Sequence, residues 1–109
     1  MQRVGMNQHQ LNQDELLRIS RAISDTTLYA LLGKIYFDQQ ITVGELCAES
    51  TVSAAAMAHH IMILNDAGLI QVRGQGRYRL LVAQRNTWET YLDCLANLGK
   101  AAPVSATDL

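Results

Sequence analysis

The sequence has little of what most readily marks a function. Its 109 residues include two cysteines, one proline and one tryptophan, and charged residues make up only 17%. Two cysteines, Cys47 and Cys94, do not make a disulfide framework, and a reducing cytoplasm is the simpler expectation. No run of about 18 apolar residues occurs, so no membrane-spanning helix and no membrane partner are expected. The opening stretch MQRVGMNQHQLNQDE is polar and lacks the apolar core of a secretory signal. Enzyme motifs are missing as well. Gly74-Gln75-Gly76 joins two alternating runs rather than a strand and a helix, so it is not a phosphate cradle. There is no nucleophile elbow and no His-x-x-x-His pair. The chain reads as a non-enzyme that needs no cofactor. A formal net charge of -1 also counts, at first, against a nucleic-acid partner, since such proteins are often basic.

What is present is apolar pattern. Hydrophobic residues make up 49% of the chain, too many for a disordered polymer. The length fits one domain, small enough that association with a partner would add to its stability. Residues 1–11 read as a flexible arm and 100–109 as a disordered tail, with the domain over 12–99. Asn12 followed by Glu15 is a capping-box pair, opening a first helix with Leu16, Leu17, Ile19 and Ile23 on its apolar side. Ser24-Asp25 caps a second, where Leu28, Leu31, Leu32, Ile35 and Tyr36 fall on one helical face. Asp38-Gln39-Gln40 reads as a turn. Thr42 and Glu45 form another capping box for a short third helix. Ser53 caps a fourth from about Ala54 to Ala67, with Met57, Ala58, Ile61 and Leu64 facing inward and Gly68 as its stop.

The period then changes from helical to alternating. Residues 69–73 and 77–82 flank a glycine-bracketed loop, which predicts a β-hairpin. On its second strand Tyr78, Leu80 and Val82 share one face and Arg77, Arg79 and Leu81 the other. A fifth helix follows, capped by Asn86 and ended by Gly99, with Trp88, Tyr91, Leu92, Leu95 and Leu98 at helical spacing. The predicted fold is mainly α with a small β-hairpin, in the order helix-helix-helix-helix-β-β-helix. A short helix, a tight turn, a longer helix and a hairpin is the order of a winged helix-turn-helix, which sets its second motif helix in the DNA major groove.

The residues themselves resemble the ArsR/SmtB-type bacterial repressors. The resemblance lies in Asp25-Thr26-Thr27-Leu28-Tyr29-Ala30-Leu31-Leu32, Val43-Gly44-Glu45-Leu46-Cys47, Val52-Ser53, His59-His60 and Leu64-Asn65-Asp66-Ala67-Gly68-Leu69-Ile70. The hairpin with Gly76-Arg77-Tyr78-Arg79 matches in position, and the likeness covers about Leu16 to Leu98. It implies a homodimer, built through the first and fifth helices, that represses transcription at a two-fold operator in double-stranded DNA. Thr26, with Leu28 or Tyr29, replaces the family's usual Pro and Arg. Two departures bear on function. Ala54-Ala55-Ala56-Met57-Ala58 stands where relatives often carry Gln, Ser or Thr, so hydrogen-bonded base readout is thin and operator shape gains weight. Cys47 has Glu49 where metal sensors complete a Cys-x-Cys pair, and the fifth helix lacks the zinc sensors' Asp/His set. No metal site is expected, and the inducer is left open.

The candidate DNA contacts are therefore Ser53, Ala54, Ala55, Ala56, Met57, His59 and His60 on the fourth helix, and Arg73, Gln75, Arg77 and Arg79 on the wing. His59 and His60 point about 100° apart, so one can face DNA while the other packs on the body. The candidate dimer seam is Leu16, Leu17, Trp88, Tyr91, Leu92, Leu95 and Leu98. A thiol switch at Cys47 and Cys94, a small-molecule pocket under the fifth helix, and a protein-interaction module without DNA binding are the alternatives. Dividing the charge along the chain removes the objection to DNA. Between Gly68 and Trp88 there are four arginines and no acidic residue; seven acidic residues oppose four basic ones before Gly68, and three oppose one after Trp88. The wing is a basic edge on a near-neutral chain. Arg77→Ala should accordingly weaken binding to many DNA sequences alike and flatten its salt dependence, as measured by anisotropy titrations across salt. Unchanged affinity at every salt concentration would remove Arg77 from the interface.

Overall fold

Four of the five helices start on a side chain that satisfies one of their unpaired backbone N–H groups. The computed structural model describes residues 11–100, apart from the side chain of Arg77. The arm and tail expected at the two ends therefore lie, but for Leu11 and Lys100, outside the described residues. Leu11, expected in the arm, packs against the core. Helix α1 spans Gln13–Ile23 and α2 spans Thr26–Asp38. The Asn12–Glu15 capping box is formed in both directions, and Asp25 accepts from the Leu28 N–H at 3.0 Å. Helix α3, Val43–Ala48, opens on the Thr42–Glu45 box, and the Thr42 N–H it captures holds the Glu45 carboxyl below the usual range. Helix α4, Ala54–Asp66, is capped by Ser53, whose hydroxyl accepts from the Ala56 N–H at 3.2 Å. It ends with Ala67 at the cap and Gly68 at a φ of 76°, the left-handed turn that glycine takes without strain.

Helix α2 carries the core. Its Leu28, Leu31, Leu32 and Ile35 are buried, and α1, α4 and the sheet all pack on it. Ile19 and Ala22 of α1, Met57, Ile61 and Leu64 of α4, and Leu46 of α3 complete one apolar cluster. Ala58, expected to face inward with Met57, is exposed instead: one residue past Met57 the helix has turned about 100° away from the core.

The sheet has three strands where the alternation predicts two. Strand β1, Gln40–Thr42, starts at the last residue of the expected turn and pairs antiparallel with β3, Leu80–Ala83, on the edge opposite β2, Ile70–Arg73. Three residues are too few to display a period of two, and Gln39, at a φ of 69°, breaks α2 just before them. Leu81, at the centre, is fully buried between Ile41 and Val72. The second hairpin arm also starts later than expected. Gly76–Tyr78 form a 3₁₀ turn, so strand alternation begins at Leu80, and Tyr78 stands largely exposed rather than sharing a strand face with Leu80 and Val82. Helix α5, Arg85–Ala96, begins before Asn86, with Gln84 at its cap and no side-chain capping bond there. It stops at Ala96, short of Gly99.

Tyr36 joins these parts. Its hydroxyl donates to the carbonyls of Leu69, at 2.6 Å, and Gln84, at 3.0 Å, at the two ends of the hairpin. Its ring meets Trp88 of α5 edge-on at 6.4 Å, and the Arg85 guanidinium lies 5.5 Å from its centroid. Burial pushes the phenol up to about 12. The folded state thus keeps a proton that the unfolded state gives up near pH 10, so this contribution is complete below pH 10 and lost as pH rises through 12. Tyr36→Phe should cost about 1–2 kcal/mol at neutral pH by urea unfolding. The gap between wild type and variant should then narrow between pH 10 and 12. A constant gap over that range would place the hydroxyl outside the hydrogen-bonded tie.

Candidate nucleic-acid interface

The fourth helix has two unlike sides. Met57, Ile61 and Leu64 face the core, with Met57 only 1% exposed. Met57 is therefore a core residue rather than the DNA contact expected of it, because it shares the helical side of Ile61 and Leu64. Ala56 and His60 are half-buried and also leave the outer face. His60 turns its Nδ1 into the protein, where that atom has no hydrogen-bond partner among the described residues, and His59 is exposed. The expected split between the adjacent histidines is thus present, with His59 outward. What remains outside is Ala54, Ala55, Ala58, His59 and Met62, followed in the last turn by Asn65 and Asp66. Met62 was missed in the sequence because an isolated methionine on an apolar helix reads as core; it is 51% exposed. Ser53 is exposed at the head of this face, and its hydroxyl, though accepting from Ala56, keeps its own proton to donate.

The wing is built on glycine. Gly74 sits at a φ of 89°, and a Cβ there would meet the Tyr78 carbonyl oxygen at 3.0 Å, so no other residue closes this turn without strain. Arg73, Gln75 and Tyr78 are exposed around it and Arg79 is partly so. The Arg73 guanidinium is steadied by two bonds to Gln71 Oε1, at 3.0 and 2.8 Å, and Arg79 Nε donates to the Gly76 carbonyl at 3.0 Å. Arg77 belongs to the 3₁₀ turn, and its side chain lies outside the described ones. The base of the wing is fastened to the helix-turn-helix: the Val43 N–H, at the start of α3, donates to the Arg79 carbonyl at 3.0 Å. The fourth arginine of the basic stretch, Arg85, folds back on Tyr36 instead.

The candidate seam divides. Tyr91 is buried, 3% exposed, and its hydroxyl bonds Ser20 of α1 at 2.9 Å, so it fastens α5 to its own chain rather than to a partner. Trp88 is half-buried between Tyr36 and Tyr91, with Tyr91 at 5.6 Å. Leu16 is half-buried against the core. Leu17, Leu92, Leu95 and Leu98 are exposed, and Leu98 is 83% so. Cys47 and Cys94 are free thiols of intermediate burial. A cleft of about 490 Å³ is lined by Thr26, Leu31, Lys34, Leu46, Glu49 and Val52, among others from α2, α3 and the turn after α3, and by no residue of α5. Lys34 spans part of it through bonds to Asp38 at 3.1 Å and Glu49 at 2.9 Å, which hold its ammonium above the usual range. Among the described residues no three of His, Cys, Asp and Glu are grouped to hold a metal ion, and no helix is long and apolar enough to cross a membrane.

No family model matches the chain. In sequence it is similar to the uncharacterized HTH-type transcriptional regulator YuzN of Bacillus subtilis, 29% identical over 70 residues that make up 59% of this chain and 76% of the relative. Among solved structures it is similar to an ArsR family transcriptional regulator at a TM-score of 0.72 and 26% identity, covering 84% of this chain and 94% of that one. An ArsR-like transcriptional regulator from Rhodococcus sp. RHA1 shares the fold at a TM-score of 0.71 and 24% identity, covering 80% of this chain and 81% of that one.

Proposed function

We propose, starting from the ArsR-type winged helix-turn-helix fold that this chain has, that it is a transcriptional repressor acting as a homodimer on a two-fold DNA operator. That its relatives in sequence and in structure are transcriptional regulators supports the coarser reading, a DNA-binding regulator and not an enzyme. The observation that carries it is the division of α4. A helix held to the core by Met57, Ile61 and Leu64 leaves its opposite side open from the Ser53 cap to Met62. That open side is narrow enough to enter a major groove, and its N-terminus turns N–H groups and the positive dipole end toward phosphates. The wing adds Arg73, Arg77 and Arg79 without an acidic residue between Gly68 and Trp88. Phosphate contacts of this kind hold register and orientation, whereas sequence is read on base edges.

The second half of the proposal is the dimer. Leu92 and Leu95 are exposed on α5, Leu98 is exposed just past its end, and Leu17 is exposed on α1, the helix that Tyr91 binds. Large aliphatic side chains in water on adjoining terminal helices fit an isologous contact, in which the same patch meets its copy. Two α4 helices related by that two-fold would then meet successive major grooves, about 34 Å apart. We read the regulator as working without the family's metal site, since Cys47 is followed two residues on by Glu49 rather than by a second cysteine.

Wild-type protein should shift the duplex upstream of its own gene at low salt and sediment as a dimer. Leu95→Glu, at an exposed position, should fold normally but weaken self-association by about tenfold or more and lower operator affinity with it. Sedimentation of L95E identical to wild type would refute the seam. Failure of the wild type to bind any duplex at low salt would favour the interaction module instead.

A further inference from the structure

We propose that the outer face of α4 reads its operator through thymine methyl groups, so that the specific determinant is an apolar mark rather than a hydrogen-bond pattern. The inference deepens the DNA-binding reading above and rests on it. At about 100° per residue, Ala54, Ala55, Ala58, His59 and Met62 fall within an arc of about 140°, and all are exposed. Over that arc the helix offers methyl groups, one imidazole at the margin and one thioether. From Ala54 to Met62 that arc has no amide, guanidinium, carboxylate or ammonium; Asn65 and Asp66 share it only in the last turn. The bidentate pairings that read guanine and adenine, and the carboxylate contact that reads cytosine, all need such groups. The thymine C5-methyl is the one base-edge feature there that an apolar side chain matches.

Three further observations point the same way. The Ser53 hydroxyl already accepts from the Ala56 N–H, which keeps it at the cap, and Asn65 and Asp66 belong to the last turn, away from the helix end that leads into the groove. Alanines at the leading turns let the helix axis approach the groove floor, where a longer side chain would hold it off. Met62 is 51% exposed in the third turn, an unbranched apolar chain that no packing among the described residues explains. Charge complementarity selects DNA over a protein groove as the occupant: the neighbouring wing carries arginines and no acidic residue. The arginines supply affinity, and the apolar strip between Ala55 and Met62 supplies choice.

The test alters the DNA and leaves the protein intact. Duplexes bound by the full chain are selected from a random pool at low salt, and each thymine of the winning site is replaced singly by deoxyuridine. Removing one contacted methyl should weaken binding about fourfold, with the sensitive positions repeated symmetrically in both half-sites. At those positions a 5-methylcytosine–guanine pair should bind better than an unmethylated one. Met62→Gln, checked for folding by circular dichroism, should abolish the uridine penalty at one position per half-site. Binding that tolerates deoxyuridine at every thymine would overturn the inference and leave DNA binding standing. Penalties in M62Q equal to those of the wild type would overturn the part assigned to Met62. Selection of no duplex at all would overturn the DNA-binding reading, and this inference with it.

Discussion

The arrangement depends on one stripe of side chains: Leu28, Leu31, Leu32 and Ile35, buried along a single face of α2. Helices α1 and α4 and strands β1 and β3 all pack against α2. A chain this short has one core, and each element must give it a face. For α4 that demand is met by Met57, Ile61 and Leu64, and meeting it on one side is what leaves the other side bare. The exposed face of the candidate recognition helix is thus a consequence of the packing, set by the same helical period that buries its inner side.

The hairpin is placed by a different kind of tie. Tyr36 reaches from α2 to the carbonyls at both ends of the β2–β3 segment, and β1 adds a third strand alongside β3. Val43 then joins α3 to the wing base through the Arg79 carbonyl. The helix-turn-helix and the wing are therefore held in one frame at two points. Two side chains of the wing are held by close neighbours in sequence, Arg73 by Gln71 and Arg79 by the Gly76 carbonyl. A fixed frame with adaptable charged tips suits contact with a phosphate backbone, whose spacing is regular and whose local shape varies with sequence.

Much of this was legible in the sequence for identifiable reasons. Capping is local chemistry, so Asn12, Asp25, Thr42 and Ser53 stand where their side chains say a helix should start. The α2 stripe repeats long enough to define its period. Strand β1 was hidden because three residues define none, and what makes Gln40–Thr42 a strand is β3, some forty residues on. Met57 was rightly read from its period as facing inward and was wrong only as a DNA contact, whereas Tyr91 was misread as part of the seam. An apolar residue on a helix can face its own core or a partner, and only tertiary contacts, such as the Ser20–Tyr91 bond, decide. Ala58 and Met62 are the reverse case, apolar residues left outside by the phase of the helix.

The most direct test of the central claim is a methyl and amide chemical-shift map of the full chain, labelled at alanine and methionine, titrated with a bound duplex. The account predicts shifts concentrated at the Ala54, Ala55, Ala58 and Met62 methyls and at the amides of 73–79, with the buried Met57 methyl much less affected. Shifts centred on the outer side of α2, at Tyr29 and Phe37, with the α4 methyls silent, would contradict it.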